Sequence, residues 1–274
     1  MIQDIYPHVY HNEFTPVPYG PGSVVLAYEE RGVLARFQEG TLVLPRAEEL
    51  PFLGEEDVIW LFRLDEQNFF LSRQSVPEGD GFTYVPIRHM RMARPRSLAF
   101  AAVTGLSLCG WYHKHRLCGS CGRPLVASTK ERMLYCPECQ IMNYPRINPA
   151  VIVGVRHDDA LLVSVYAGRE YKNTALLAGF AEIGETIEET VHREVMEEVG
   201  IHVKNLTFYK SQPWCFTDTL LFGFFCDLDG KADLHVDHSE LATAQWLQRQ
   251  DLPDDREHTS LTMEMITLFK QGKA

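Results

Sequence analysis

Apolar residues recur every fourth position at Ile187, Val191, Val195 and Val199, and the positions between them are mostly charged. At about 100° per residue, this spacing predicts an amphipathic helix with one stripe packed on a core. Glu194, Glu197 and Glu198 share the adjoining arc, so an acidic face borders that core. Short runs rich in β-formers predict strands at 23–28, 33–37, 41–44, 58–64 and 67–71, punctuated by Pro16, Pro18, Pro21, Pro45, Pro51 and Pro77. A helical pattern follows over 97–115, with Leu98, Ala102, Leu106 and Cys109 near one face. Strands at 150–155 and 160–166 flank a polar turn and read as a hairpin. Further strands are expected at 203–209, 219–228 and 242–247. A closing helix over 261–270 turns Leu261, Met265, Ile266 and Phe269 inward.

A chain of 274 residues exceeds the usual single-domain size, and its length alone predicts two domains. Apolar residues make up 45% of it, enough for packed cores. The net charge of −11 argues against a broad nucleic-acid or membrane surface. It leaves room for a small phosphate-bearing substrate, because a bound cation inverts the local sign. The first residues lack a basic segment leading into an apolar one, so no signal peptide is expected. The apolar stretch 98–112 is too short and interrupted to span a membrane. The odd count of seven cysteines fits a reducing compartment, and a cytoplasmic location is expected.

Four of those cysteines form two C-x-x-C pairs, Cys118 with Cys121 and Cys136 with Cys139. Two such knuckles can bring four thiolates tetrahedrally onto one Zn²⁺. A redox C-x-x-C is the alternative, but the tandem arrangement favours zinc. A closed four-thiolate site has no open coordination position, so its role is folding and placement. Cys109 and Cys226 are expected as buried thiols. Arg88, Arg91, Arg94 and Arg96 form a basic cluster in an acidic chain. It reads either as a solvated patch or as a source of a phosphate-binding arginine.

The acidic arc has two readings of its own. Like charges four residues apart weaken a helix by a few tenths of a kcal/mol. Such a face is either solvated or offset by a hard divalent cation. The stretch 179–201 resembles the signature of the Nudix hydrolases, G-x5-E-x7-R-E-U-x-E-E-x-G-U with U aliphatic. Gly179, Glu185, Arg193, Glu194, Val195, Glu197, Glu198, Gly200 and Ile201 fill its fixed positions in register. The resemblance implies a loop–helix–loop on an α/β/α sandwich and Mg²⁺- or Mn²⁺-dependent hydrolysis of a nucleoside diphosphate derivative.

Downstream, Ser211, Gln212, Pro213, Trp214 and Phe216 match the S-Q-P-W-P-F-P-x-S marker of the NADH pyrophosphatase subfamily. Cys215 and Thr217 stand in place of prolines, Asp218 fills the free position and Thr219 stands in place of the serine. Losing two prolines leaves the segment less preset in φ. The resemblance implies an α+β organisation: a β-rich domain over 1–110 with a closing helix, a zinc ribbon over 111–145, and a Nudix domain over 146–274. It assigns Glu194, Glu197, Glu198 and Glu240 to the catalytic metal, Glu197 or Glu198 as the base, and Arg193 and Glu185 as orienting groups. For substrate it implies Tyr144, Phe180 and Trp214 around the rings. Ala178, Glu131, Arg88 and the segment 212–219 would supply further contacts. The implied reaction splits NADH or NAD⁺ into a nicotinamide mononucleotide and AMP, and NAD-cap removal from RNA uses the same bond. Homodimerisation is also implied. Two rivals stay open: a Nudix enzyme for ADP-ribose, dinucleoside polyphosphates or a flavin dinucleotide, and a non-catalytic nucleotide sensor.

Overall fold

The computed structural model describes residues 1–168, 174–255 and 259–274. They divide into two compact units: one holds 2–146 with 215–217, the other Met1, 147–214 and 218–274.

In the first unit, eight strands form two four-stranded sheets. They are β1 (Tyr10–His11), β2 (Val24–Leu26), β3 (Tyr28–Glu29), β4 (Gly32–Gln38), β5 (Thr41–Val43), β6 (Val58–Leu64), β7 (Gln67–Ser72) and β8 (Thr83–Pro86). One sheet runs β1-β6-β7-β2, and the other β3-β4-β5 with β8 beside β4. The single strand expected over 23–28 is two, because the chain changes sheets at Ala27: β2 pairs with β7 and β3 with β4. The sequence reading missed β8, a short strand with exposed Thr83 and Pro86 that alternation does not mark.

Helix α1 (Arg96–Lys114) closes this unit. The expected stripe is only half-buried at Leu98, Leu106 and Cys109, whereas 99–105 are buried without a break. Small residues explain the difference: Ala99, Ala101, Ala102 and Gly105 let neighbours close on several sides of the helix. A Cβ at Gly105 would collide with Leu26 and Tyr28, whose hydroxyl donates to the Ala102 carbonyl at 2.6 Å. After α1 comes a three-stranded antiparallel ribbon, β9 (Val126–Ala127), β10 (Leu134–Tyr135) and β11 (Met142–Asn143), with β10 central.

The second unit is an α/β/α sandwich. Its strands are β12 (Asn148–His157), β13 (Ala160–Tyr166), β14 (Leu177–Phe180), β15 (His202–Trp214), β16 (Thr219–Asp229) and β17 (Leu241–Gln248). Helix α2 (Ile187–Val199) covers one face and α3 (Leu261–Lys270) the other. The sheet order is β15-β16-β12-β13-β17, with β14 also on β12. β12 runs parallel to β16 and antiparallel to β13 and β14. Its alternation is strict: Val151, Val153 and Val155 face the α2 core and Ile152 the α3 core. Among the described residues no helix is long and apolar enough to cross a membrane.

Candidate active site

The sequence motif at 179–201 becomes a compact loop and helix. β14 ends at Phe180, and the loop beyond it leads to Thr186, the N-cap of α2. Thr186 Oγ1 accepts from the Glu189 amide at 3.2 Å, and the Glu189 carboxylate accepts from the Thr186 amide at 2.8 Å. This reciprocal capping box satisfies two otherwise orphaned donors. At the other end Gly200 takes a left-handed conformation, φ +69°, and its amide closes on Met196. On β14, a Cβ at Gly179 would run into the Glu194 carboxylate. That glycine is what lets the strand lie against the acidic face.

Arg193 organises the carboxylates. Its Nε donates to Glu185 Oε1 at 2.5 Å, and Nη2 donates to Glu185 Oε2 at 2.9 Å and to the Phe180 carbonyl at 2.8 Å. Nη1 donates to both Glu194 Oε1 and Glu197 Oε2 at 2.8 Å. The planar fork thus ties the loop carboxylate Glu185 to the helix. Glu185 is held at a pKa of about 2, chiefly by Arg193 and next by the Glu182 amide. Thr190, fully buried and absent from the motif, adds a hydroxyl 3.0 Å from Glu185 Oε2. Only its place one turn beyond the N-cap could have flagged it.

Glu198 has the opposite environment. It is 2% exposed, and neither carboxylate oxygen has a hydrogen-bond partner among the described residues. Burial first, then the charges of Glu194 and Glu240, push its pKa up to about 8, with the nearby Ala178 amide pulling the other way. Glu194 is also raised, by burial above all. Glu240 is exposed, and it is brought there by a loop hung on the end of α2. The His235 amide donates to the Val199 carbonyl and the Asp237 amide to the Glu198 carbonyl, each at 2.9 Å. The Asp237 carboxylate then holds Ser239 through its amide and hydroxyl. Sequence reasoning missed Asp237, which carries no motif signal.

A buried, unpartnered carboxylate flanked by two others suits a hard divalent cation, which takes oxygen ligands. The donor set fits such an ion. It is not gathered as tightly as the cysteine cluster, because Arg193 draws Glu194 and Glu197 toward itself.

The marker segment after the box is strand at both ends with a turn at 215–218 between them. Ser211, Gln212, Pro213 and Trp214 are the end of β15, with Pro213 opposite Leu220 and Trp214 opposite Thr219. Gln212 is fully buried, and its amide donates to the Thr259 carbonyl and accepts from the Leu261 amide. Both ends of that side chain therefore fix the start of α3. The Asp218 carbonyl accepts from the Asn148 amide at 2.8 Å, and Thr219 is buried at the head of β16. Ala178 is half-buried on β14 and Phe180 is 54% exposed at its end.

The remaining expected residues belong to the other unit. There Cys215 and Phe216 pack on the core that includes α1, and Arg31 donates to the Phe216 carbonyl at 3.3 Å. Thr217 is exposed, as is Arg88 in a short 3₁₀ helix, Ile87–Arg91. Tyr144 and Glu131 meet in that unit, hydroxyl to carboxylate, at 3.3 Å.

The four ribbon cysteines place one ligand atom each within 4.8 Å of one another, the tightest requirement of a metal site and one met by no other described His, Cys, Asp or Glu group. Cys121 and Cys136 sulfurs are 3.6 Å apart. Gly122 and Gln140, each following a second cysteine, both take positive φ and donate their amides to the Cys118 and Cys136 carbonyls. Amides of Cys121 and Ser120 lower Cys118 to a pKa of about 7, as suits a thiolate ligand. Four thiolates fit Zn²⁺. Of the other thiols Cys226 is buried, while Cys109 and Cys215 are half-buried.

Residues 146–266 match the NUDIX domain model. The chain is 45% identical over 150 residues to the NAD-capped RNA hydrolase NudC of Klebsiella pneumoniae subsp. pneumoniae, covering 54% of this chain and 58% of that one. Its likeness to the protein of the same name from Shigella flexneri is 42% over 149 residues, again 54% and 58% of the two chains. The match thus spans less than two thirds of these relatives. The solved structure of a NUDIX hydrolase from Nitrosomonas europaea is similar over 57% of this chain and 91% of its own, at 17% identity and a TM-score of 0.46. The box is complete in sequence and folded on the face of an α/β/α sandwich, and the part of the chain that carries it, residues 146–266, is what matches the NUDIX domain model.

Proposed function

We propose that the protein hydrolyses the pyrophosphate bond of NAD(H), free or as the 5′ cap of RNA, releasing a nicotinamide mononucleotide and AMP or the 5′-phosphorylated RNA. The observation that carries this reading is Glu198: a buried carboxylate with two unpartnered oxygens, set in a complete Nudix box. The relatives named NAD-capped RNA hydrolase support the substrate class. Glu194, Glu198, Glu197 and Glu240 are the residues that would hold Mg²⁺ or Mn²⁺. Such an ion neutralises phosphate charge and makes water more acidic.

The chain's own groups do the rest. Arg193 holds Glu185, Glu194 and Glu197 in one array, so the carboxylates are preorganised. Glu197 is exposed with Oε2 engaged by Arg193, whereas the Glu198 oxygens are unengaged. This favours Glu198 as the group that receives the proton of the attacking water. Phe180, half exposed at the end of β14, offers a ring face for a base. Trp214 and Ala178, in the same unit as the box, are further contacts in this reading. The ribbon zinc supplies rigidity only. Ile141, Met142 and Tyr144, all exposed around the last ribbon strand, support a homodimer, which sedimentation tests.

Product analysis tests the reaction. NADH, NAD⁺, an NAD-capped oligoribonucleotide, ADP-ribose and diadenosine polyphosphates are incubated with Mg²⁺ or Mn²⁺. Nicotinamide mononucleotide is the expected product from the first three, and Glu198→Gln should lower turnover by about 10²–10⁴-fold, the range for a general base. Preferential cleavage of ADP-ribose or a diadenosine polyphosphate would reject the substrate assignment, and near-normal turnover by Glu198→Gln would reject the site.

A further inference from the structure

The first compact unit contains a cavity of about 630 Å³ that the reaction above does not use. It opens between the β6–β7 sheet, the end of α1 and the zinc ribbon. Its volume is within the range of about 300–1,000 Å³ for small-molecule sites. Three aromatic side chains line it, Phe14, Trp60 and Tyr112. Phe14 and Trp60 stand edge to face with centroids 6.1 Å apart. The Arg132 guanidinium lies 5.6 and 5.9 Å from those two rings, and its Nη2 donates to the Leu61 carbonyl. The aromatic wall is therefore anchored to both the ribbon and β6, and does not depend on a ligand for its position.

The charge of the lining is the reverse of the chain's. Arg73, Arg116 and two histidines face the cavity, against the single carboxylate of Glu131. That carboxylate is taken up by the Tyr144 hydroxyl. The Arg73 side chain donates, among the described residues, only to the Val58 carbonyl, at 3.5 Å, and neither Arg73 nor Arg116 pairs with a carboxylate among them. In a chain of net charge −11, two arginines left without acidic partners beside an aromatic wall are a specific arrangement. An aromatic face takes a planar ring by stacking, and the planar guanidinium fork takes phosphate oxygens.

We propose that this cavity binds one nucleotide unit, its base against the Trp60 and Tyr112 side and its phosphate on Arg73 and Arg116. The unit is either a free mononucleotide or one residue of single-stranded RNA. Binding is independent of the Nudix carboxylates and of Mg²⁺ or Mn²⁺.

Calorimetric titration of the whole protein, zinc retained and no Mg²⁺ or Mn²⁺ added, tests this with two probes: AMP and an uncapped 5′-hydroxyl decaadenylate. Saturable binding of AMP identifies the free nucleotide as ligand, and binding of the oligonucleotide alone identifies RNA. Arg73→Glu with Arg116→Glu should weaken that binding at least tenfold with the circular dichroism spectrum unchanged, because both side chains are exposed. Glu198→Gln should bind as the wild type does, and the double arginine variant should hydrolyse NADH at the wild-type rate. Absence of binding by both probes, or equal affinity in the double variant, overturns the proposal. Loss of NADH hydrolysis in the wild type would count against the Nudix reading alone.

Discussion

At the residue scale the site is a contrast between two glutamates, one eight positions before Arg193 and the other five after it. Glu185 is paired and held at a pKa of about 2, while Glu198 is buried unpaired and stands at about 8. The second fact has a sign that can be measured. A carboxyl whose folded pKa lies above its unfolded value of about 4.5 stabilises the fold below that value. The contribution is lost as pH rises through the folded pKa. Protein free of divalent cations should therefore lose melting temperature between about pH 4.5 and 8, and Glu198→Gln should flatten that slope. A wild-type and variant that track each other across this window would show that Glu198 does not carry the proton. The motif made Glu198 legible as a functional residue. Its burial and lack of partners were not, because both depend on Glu240 and on a loop some forty residues away in sequence.

At the element scale, α2 was readable from its stripe and its capping box, and α3 from Leu261 to Lys270. What pattern could not reach is how elements are clamped to each other. Gln212 reads as a polar residue in a marker segment, yet its amide is spent on the start of α3. In the same segment Pro213 and its polar neighbours disfavour a strand locally; pairing of 211–214 with β16 overrides that preference. The C-terminal end of α2 is the more sensitive joint. At Gly200 the backbone is left-handed, and a Cβ would meet the His235 Cβ at 2.9 Å. Gly200→Ala should therefore cost more than about 1 kcal/mol in urea unfolding. It should also reduce turnover, because His235 begins the loop that brings Glu240 to Glu198. Wild-type stability in this variant would remove the joint from the account.

At the scale of the whole molecule, the two C-x-x-C pairs announced a ribbon but not what it braces. In the first unit Arg132 bridges to the Leu61 carbonyl and Trp111 donates its indole N–H to Asn143 at 2.9 Å. Removing zinc with a chelator should release the Trp111 fluorescence environment and deprotect the Cys136 and Gln140 amides in hydrogen exchange. Unchanged exchange at those amides would mean that the knuckles hold without metal.

In the second unit β12 has a consequence beyond placing the box. Its odd-numbered valines and its even-numbered Ile152 serve opposite cores, and Gly154 leaves the space into which the Phe225 ring projects. The strand is a party wall between two dry rooms. A slip of one residue would exchange the tenants of both at once, so neither room can be rearranged while the other stays furnished. Variation on this scaffold is thereby steered away from the wall and toward the loops at its ends, where the carboxylates and the aromatic ring are displayed.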